Sequence, residues 1–327
     1  MRYSVKFFTD CYLITLCSSR RPRRRLQGKS CAAHRVLRKG RRKEQIDGWQ
    51  IVCCSRQVII YNRAMQKPLI ASPGNPLIKQ ARALHQKKAR NESGLFLVEG
   101  IHHVGEVVEA GWDVESILYA SGLLTSPFAH ELISRFSFKP QPVTAQVMES
   151  LADKENPQGI IAIVHQKKGQ LKDVKPFKRA VALVAPQDPG NVGTILRTMD
   201  AVGADMLFLL DGGVELYHPS VIRASMGTLF WKPVIQTSFN EFIEWARKGN
   251  YQLIGTSAKA DVEYQTLVPQ TPWILLLGNE QKGLSPSQTA ACDVTVSLPM
   301  QGRVSSLNLA VAAGVLLYRF DHTVQSK

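Results

Sequence analysis

Cysteine is nearly absent from most of this 327-residue chain. Of the six cysteines, Cys11, Cys17, Cys31, Cys53 and Cys54 precede residue 65, and only Cys292 follows it. No CxxC pair occurs, and Cys11-x5-Cys17 with His34 has no metal-ligand spacing, so no zinc site is expected. His102 and His103 are adjacent in a predicted helix, point to different faces and do not suit a shared metal. A body without disulfides suits a reducing compartment. Long apolar runs are also missing. The longest, residues 307–318, is broken by Asn308 and falls short of the ~18 residues a membrane helix needs, so no membrane partner is expected. No GxGxxG follows a predicted strand, and residues 278–283 lack the GxxxxGK[ST] spacing of a phosphate-binding loop. No Ser-His-Asp arrangement is suggested either.

Net charge is concentrated rather than spread. The chain carries 41 Lys plus Arg against 26 Asp plus Glu, a formal +15, and a basic excess points to a polyanionic partner such as nucleic acid. Residues 1–64 hold 16 of the basic residues and three of the acids, or +13, which leaves +2 for everything after them. Basic blocks at 20–25 and 38–43 stay solvated by self-repulsion. The first 64 residues therefore read as a disordered or non-native extension. The alternatives are an arm that grips RNA phosphates and an Arg-rich organellar transit peptide. The remainder, in a chain 44% hydrophobic, is globular.

Hydrophobic periodicity divides the globular part in two. Residues 65–168 alternate helices and short strands and predict a small α/β domain. It opens, over 73–89, on a turn followed by an amphipathic helix (Leu77, Ala81 and Leu84 on one face; Lys79, Arg82, Lys87, Lys88 and, just beyond, Arg90 on the other). Residues 169–179 form a basic linker. Residues 180–327 carry apolar strands at 180–185, 206–210, 253–256, 273–277 and 294–298, separated by helices, which predicts a parallel sheet covered on both faces. A helix over 191–202 is expected with Asn191 as its cap, and a final helix over 305–320. Ligands of parallel sheets bind beyond the carboxyl ends of the strands. Three polar or glycine-bearing loops fall there, at 186–197, 278–285 and 299–308. Glycines in such loops let backbone groups approach a ligand. Leu298 and Leu307 suit the flanks of a flat ring, and Arg197 a phosphate, although turn, core and surface roles are equally open for each.

Three segments taken together carry a sharper signal. They are Asn191-Val-Gly-Thr-Ile-Leu-Arg197, Leu277-Gly-Asn-Glu-Gln-Lys-Gly-Leu284 and Leu298-Pro-Met-Gln-Gly-Arg-Val-Ser-Ser-Leu-Asn308. In order and separation they resemble the signature motifs of the SpoU (TrmH) family of RNA ribose 2′-O-methyltransferases, in the SPOUT superfamily. His218-Pro-Ser-Val-Ile-Arg-Ala-Ser-Met-Gly227 resembles a segment between the first two motifs. Phe96-Leu-Val-Glu-Gly100 resembles the start of the family's small RNA-substrate-binding domain. The likeness spans about 68–318 and leaves out the head.

The resemblance implies a trefoil knot in the C-terminal sheet domain, a topology that general folding rules would reject. It implies S-adenosylmethionine bound in the knot by Gly278, Leu298 and Leu307, with Thr256 at the end of a strand as a further candidate. Arg197 is implied as the central catalytic residue, with Asn191, Glu280, Ser306 and Asn308 around it. A guanidinium stays protonated, so Arg197 suits holding a phosphate and steadying the developing alkoxide rather than acting as base. The implied assembly is a cytoplasmic homodimer with the final helix in its interface, where Ala310, Ala312, Ala313 and Gly314 suit close approach, or equally an internal core. The implied substrate is 23S ribosomal RNA. The alternatives are a tRNA 2′-O-methyltransferase and an inactive RNA-binding module.

Overall fold

A computed structural model describes residues 2–8, 11–17, 44–46, 49–54, 57–62, 67–134, 140–153 and 156–325. The chain forms two compact units, Met1–Pro68 and Leu69–Lys327. The first contains β1 (Arg2–Phe8), β2 (Cys11–Cys17), β3 (Glu44–Ile46), β4 (Trp49–Cys54) and β5 (Gln57–Asn62), an antiparallel sheet in the order β1-β2-β5-β4-β3. Val, Ile, Tyr and Phe, all strand formers, punctuate these stretches, where the charge pattern suggested no element. The basic blocks at 20–25 and 38–43 lie outside the described residues.

The second unit has two lobes. The small lobe runs α1 (Pro76–Ala83), α2 (Lys87–Ser93), β6 (Leu95–Glu99), α3 (Ile101–Glu109), β7 (Val114–Tyr119), α4 (Pro127–Ser134), β8 (Gln141–Pro142), α5 (Ala145–Glu149) and β9 (Ile160–His165). Its sheet order is β6-β9-β7-β8, antiparallel except between β7 and β8. Asn75 accepts from the Leu77 amide at 2.9 Å and caps α1, with Pro76 in the first turn, where its missing N–H costs nothing. The single helix expected within 73–89 is broken at Leu84–Gln86. The break turns Arg90 inward, so it does not share the solvated basic face of Lys79 and Arg82. Arg90 is 2% exposed and makes a two-pronged bond to Glu215, at 2.6 and 2.7 Å.

The larger lobe carries β10 (Arg179–Val184), α6 (Pro189–Ala201), β11 (Met206–Leu210), α7 (Pro219–Ala224), β12 (Val234–Thr237), α8 (Phe239–Lys248), β13 (Gln252–Thr256), β14 (Val262–Glu263), β15 (Trp273–Leu277), α9 (Pro286–Ala290), β16 (Val294–Ser297) and α10 (Leu309–Gln325). The seven strands are all parallel, in the order β12-β11-β10-β15-β13-β16-β14. All of β15 (Trp-Ile-Leu-Leu-Leu) is buried, as a central parallel strand covered by helices on both faces requires. Strand β12 and helix α8 were not anticipated. Helix α8 is closed by a capping box, with Ser238 bonded to the Glu241 amide and Glu241 reaching back. Helix α10 begins at Leu309, so residues 305–308 belong to the loop before it.

One hydrophobic cluster spans both lobes, beside a core of each lobe's own. Phe96, Val104 and Ile117 of the small lobe belong to the same buried cluster as Val181, Leu196 and Trp273. The segment after β11 is the docking surface. Tyr217 packs on Phe96 with the rings tilted and their centroids 4.5 Å apart, the Trp112 indole donates to the Phe230 carbonyl at 2.9 Å, and the Trp231 indole donates to Glu106 at 2.7 Å.

Candidate functional site

The carboxyl ends of β10, β15, β13 and β16 lie side by side in the sheet. From β10 the chain passes Ala185, at φ +44°, to Asp188, whose carboxylate accepts from the Gly190 amide at 2.7 Å and caps α6. Asn191 is therefore not the cap expected from the sequence. It sits inside the first turn, 6% exposed, with its amide free to act as a connector. Pro189 explains the earlier start, because proline fits the first helical turn.

From β15 the chain enters Gly278 directly. A Cβ there would lie 2.2 Å from the Gly283 carbonyl carbon and 2.3 Å from the Leu284 nitrogen, so only glycine lets the loop fold back this tightly. Asn279 fixes that loop. Its Oδ1 accepts from the Gln281 and Lys282 amides at 3.0 and 3.2 Å, and its Nδ2 donates to the Ala185 carbonyl at 2.8 Å. Asn279 was quoted only as part of a motif. The Asn-x-x turn it makes was the available signal.

Glu280 reaches across to the first loop. Its carboxylate accepts from the Gln187 amide at 2.9 Å, the Asp188 amide at 3.1 Å and the Asn191 side chain at 3.2 Å. Burial alone raises the Glu280 carboxyl. The backbone N–H groups of Asp188, Glu280 and Gln187, with the Asn191 amide, outweigh it and hold the pKa below the ordinary carboxylate value.

Asn308 completes the connection. Its Oδ1 accepts from the Ala310 and Val311 amides at 2.9 and 3.3 Å, which caps α10, so its Nδ2 is the group that donates to Asn191 Oδ1, at 2.9 Å. One line of polar groups thus runs from the start of α10 through Asn308 and Asn191 to Glu280 and the 187–188 backbone. Residues from all three sequence motifs are fastened together.

Arg197 and Ser306 are not drawn into this line, contrary to a cluster centred on Arg197. Six residues of helix separate Arg197 from Asn191 by about 9 Å along the axis and place them on different faces. Arg197 is exposed and makes no hydrogen bond or ion pair with another described residue. Ser306 is exposed on the 299–308 loop. Leu298 is half-buried against the core, whereas Leu307 is 38% exposed, so the two leucines differ too much in setting to form a symmetric sandwich on their own. Thr256 ends β13, with its hydroxyl 3.5 Å from the Leu276 carbonyl of β15.

Comparison with known proteins fits this geometry. The SpoU rRNA Methylase family profile matches residues 178–318, and the MRM3-like substrate binding domain profile matches 75–162. The 23S rRNA (uridine(2479)-2′-O)-methyltransferase of Streptomyces viridochromogenes is 34% identical over 245 residues, 72% of this chain and 85% of that protein. The chain belongs to the SpoU rRNA methylase family. Another relative, the 23S rRNA (guanosine(2553)-2′-O)-methyltransferase RlmP of Bacillus subtilis, is 28% identical over 249 residues, 76% of this chain and 97% of its own length. Among solved structures, the AdoMet-bound rRNA methyltransferase of Sinorhizobium meliloti superposes with a TM-score of 0.72 at 31% identity, covering 78% of this chain and 97% of that one. As a SpoU methylase, the chain carries the three motif loops on the carboxyl edge of one parallel sheet, where ligands of such sheets bind.

Proposed function

We propose that this chain transfers a methyl group from S-adenosylmethionine to a ribose 2′-hydroxyl of 23S ribosomal RNA. The observation that carries the proposal is the bonded line Asn308–Asn191–Glu280, which holds the three family motifs in one arrangement at the strand ends. The small lobe over 65–168 is the RNA-substrate-binding domain, 169–179 the linker and 180–327 the catalytic domain. Residues 1–64 lie outside this machinery.

The loops at Gly278, Leu298 and Leu307, with Thr256, suit S-adenosylmethionine. They offer a tight backbone turn and one half-buried and one exposed apolar side chain, and their one carboxylate, Glu280, is already taken up by the Gln187 and Asp188 amides and the Asn191 side chain. When bound, that cofactor supplies a sulfonium methyl, an electrophile with its leaving group built in. What the protein adds is alignment and help with the hydroxyl proton. Arg197, exposed and unpaired among the described residues, holds the target phosphate and stabilises charge developing on the ribose oxygen. Glu280 is occupied by three donors and acts as an organiser of the first loop rather than as a base. Ser306, exposed beside these loops, faces the substrate side, and Asn308 braces the loop it ends.

The strand order supports a knotted sheet, because β15 enters between β10 and β13, and β16 between β13 and β14, both after those neighbours' own crossovers. A homodimer through α10 is supported by Val311, Val315 and Tyr318, which make an exposed apolar stripe 37–53% accessible. Ala310 and Ala313 instead face the interior. No helix among the described residues is long and apolar enough to cross a membrane. The test is to map 2′-O-methyl sites in ribosomal and transfer RNA from cells with and without this protein. A site in 23S RNA that vanishes with the protein is the expected result. A vanished tRNA site favours the tRNA alternative, and an unchanged map favours an RNA-binding module without catalysis.

A further inference from the structure

The seam between the lobes holds a cleft of about 450 Å³, away from the motif loops. The small lobe contributes Asn91, the chain leaving β9 contributes Lys168 and Gln170, and β12, the edge strand of the large sheet, contributes Gln236. These four side chains are exposed and make no hydrogen bond or ion pair with any other described residue. Their floor, in contrast, is rigid. The Tyr217 hydroxyl donates to the Lys167 carbonyl at 2.6 Å and accepts from the Lys167 amide at 2.9 Å. Burial pushes the Tyr217 phenol up to about 12, against the smaller opposing effect of the Lys167 backbone, so it stays a neutral donor. Glu215 beneath is neutralised by Arg90. Gly169 pairs with Ile235, and a Cβ at Gly169 would lie 2.5 Å from the Ile235 side chain, so the chain is held against the sheet edge there.

We infer that this cleft holds a single-stranded nucleotide of the substrate RNA, at a distance from the methylated ribose, with Lys168 on a phosphate and Asn91, Gln170 and Gln236 on the edge of an unstacked base. A planar amide presents two donors and an acceptor, which matches the edge of a base, and single-stranded RNA is read through such splayed bases. The lysines that follow along the chain, Lys172, Lys175 and Lys178, extend positive charge away from the cleft. A path to the catalytic edge exists. The loop leading to Glu215 rests on the first motif's approach, with the Val214 amide bonded to the Pro186 carbonyl at 2.9 Å, next to the Gln187 amide held by Glu280. An RNA strand lying in the cleft is thereby tied to the loop that leads into α6 by contacts that never touch the reacting atoms.

The inference rests on RNA being the substrate, and the experiment separates the two. The full-length protein is crosslinked to a 23S RNA transcript containing 4-thiouridine, and the adducts are mapped. Crosslinks within 166–170 or 234–236 are expected. Crosslinks confined to other segments overturn the cleft while leaving the RNA reading intact, and absence of RNA binding overturns both. In parallel, Lys168→Ala and Gln236→Ala are measured for methyl transfer, S-adenosylmethionine affinity and melting temperature. The expected result is a KM for RNA raised about tenfold with kcat and cofactor affinity unchanged, and, for Lys168→Ala, a salt slope of RNA binding shallower by about one. Melting temperatures equal to the parent's with KM within twofold of it sink the proposal.

Discussion

At the scale of single residues, the site contrasts an arginine without a partner among the described residues with a fully engaged carboxylate. Arg197 holds no other described residue, so its removal is expected to leave the fold and the cofactor loops alone. Arg197→Ala is predicted to lower kcat about a hundredfold or more, with S-adenosylmethionine affinity by calorimetry within about twofold of the parent. Turnover close to the parent's would exclude the role given to it. Glu280 behaves oppositely. Its folded pKa lies below the ordinary value of 4.5, so its contribution to stability is complete above that value. The contribution is lost as pH falls through the lower folded value. Melting temperature measured on descending through and below pH 4.5 should drop, and the drop should be smaller in Glu280→Gln, which has no carboxylate to protonate. The sequence made Glu280, Asn191 and Asn308 legible as a set but not as a chain of bonds. A motif states which residues recur, whereas Pro189 and Asp188 decide where the helix starts and therefore which way Asn191 points.

Among elements, the contact of α6 with α7 is the most constrained. A Cβ on Gly193 would meet the Ala224 methyl and the Val221 carbonyl oxygen, each at 2.6 Å. Backbone atoms cannot yield as a flexible side chain does, so Gly193→Ala is predicted to cost ~1–3 kcal/mol, the range for overpacking. Urea unfolding should show the loss, and transfer should fall with it because α6 carries both Asn191 and Arg197. Parent-like unfolding would mean that α7 can shift without penalty. The buried strands of the large sheet were readable because unbroken apolar runs such as Trp273–Leu277 have few other fates. Strand β12 left little signal, because at the sheet edge it is short and only partly buried. Helix α8 was legible, since Ser238-x-x-Glu241 spells a capping box and Phe239, Phe242, Ile243 and Ala246 recur at helical spacing on the face that meets the core. The break at Leu84–Gln86 escaped notice for a different reason. Arg90 there donates both to the Leu84 carbonyl within the break and to the distant Glu215, and local periodicity contains no information on the second partner.

For the molecule as a whole, the charge arithmetic and the contacts give one boundary within a few residues. Most of the net positive charge, +13 of +15, precedes residue 65, and the compact unit that carries the site begins at Leu69. A protein starting at Met65 is predicted to keep kcat and KM within about twofold of the full chain. A loss of methyl transfer on truncation would give the head a role in the reaction. The small lobe was visible as a run of helices and strands, yet its union with the large lobe was not. Trp112, Trp231 and Tyr217 look alike in sequence whether they fill a local core or a seam, and only their partners distinguish the two. The cap at the start of α10 has a consequence for synthesis. Asn308 and the helix it caps leave the ribosome after both of the other motif loops, and they supply the donor that Asn191 needs. A chain released early, before that asparagine, carries the first two motif loops without the tie that holds them to the third. Such a product would leave the Asn191 side-chain oxygen without its donor, so assembly of the site waits on the last of the three motifs to be made.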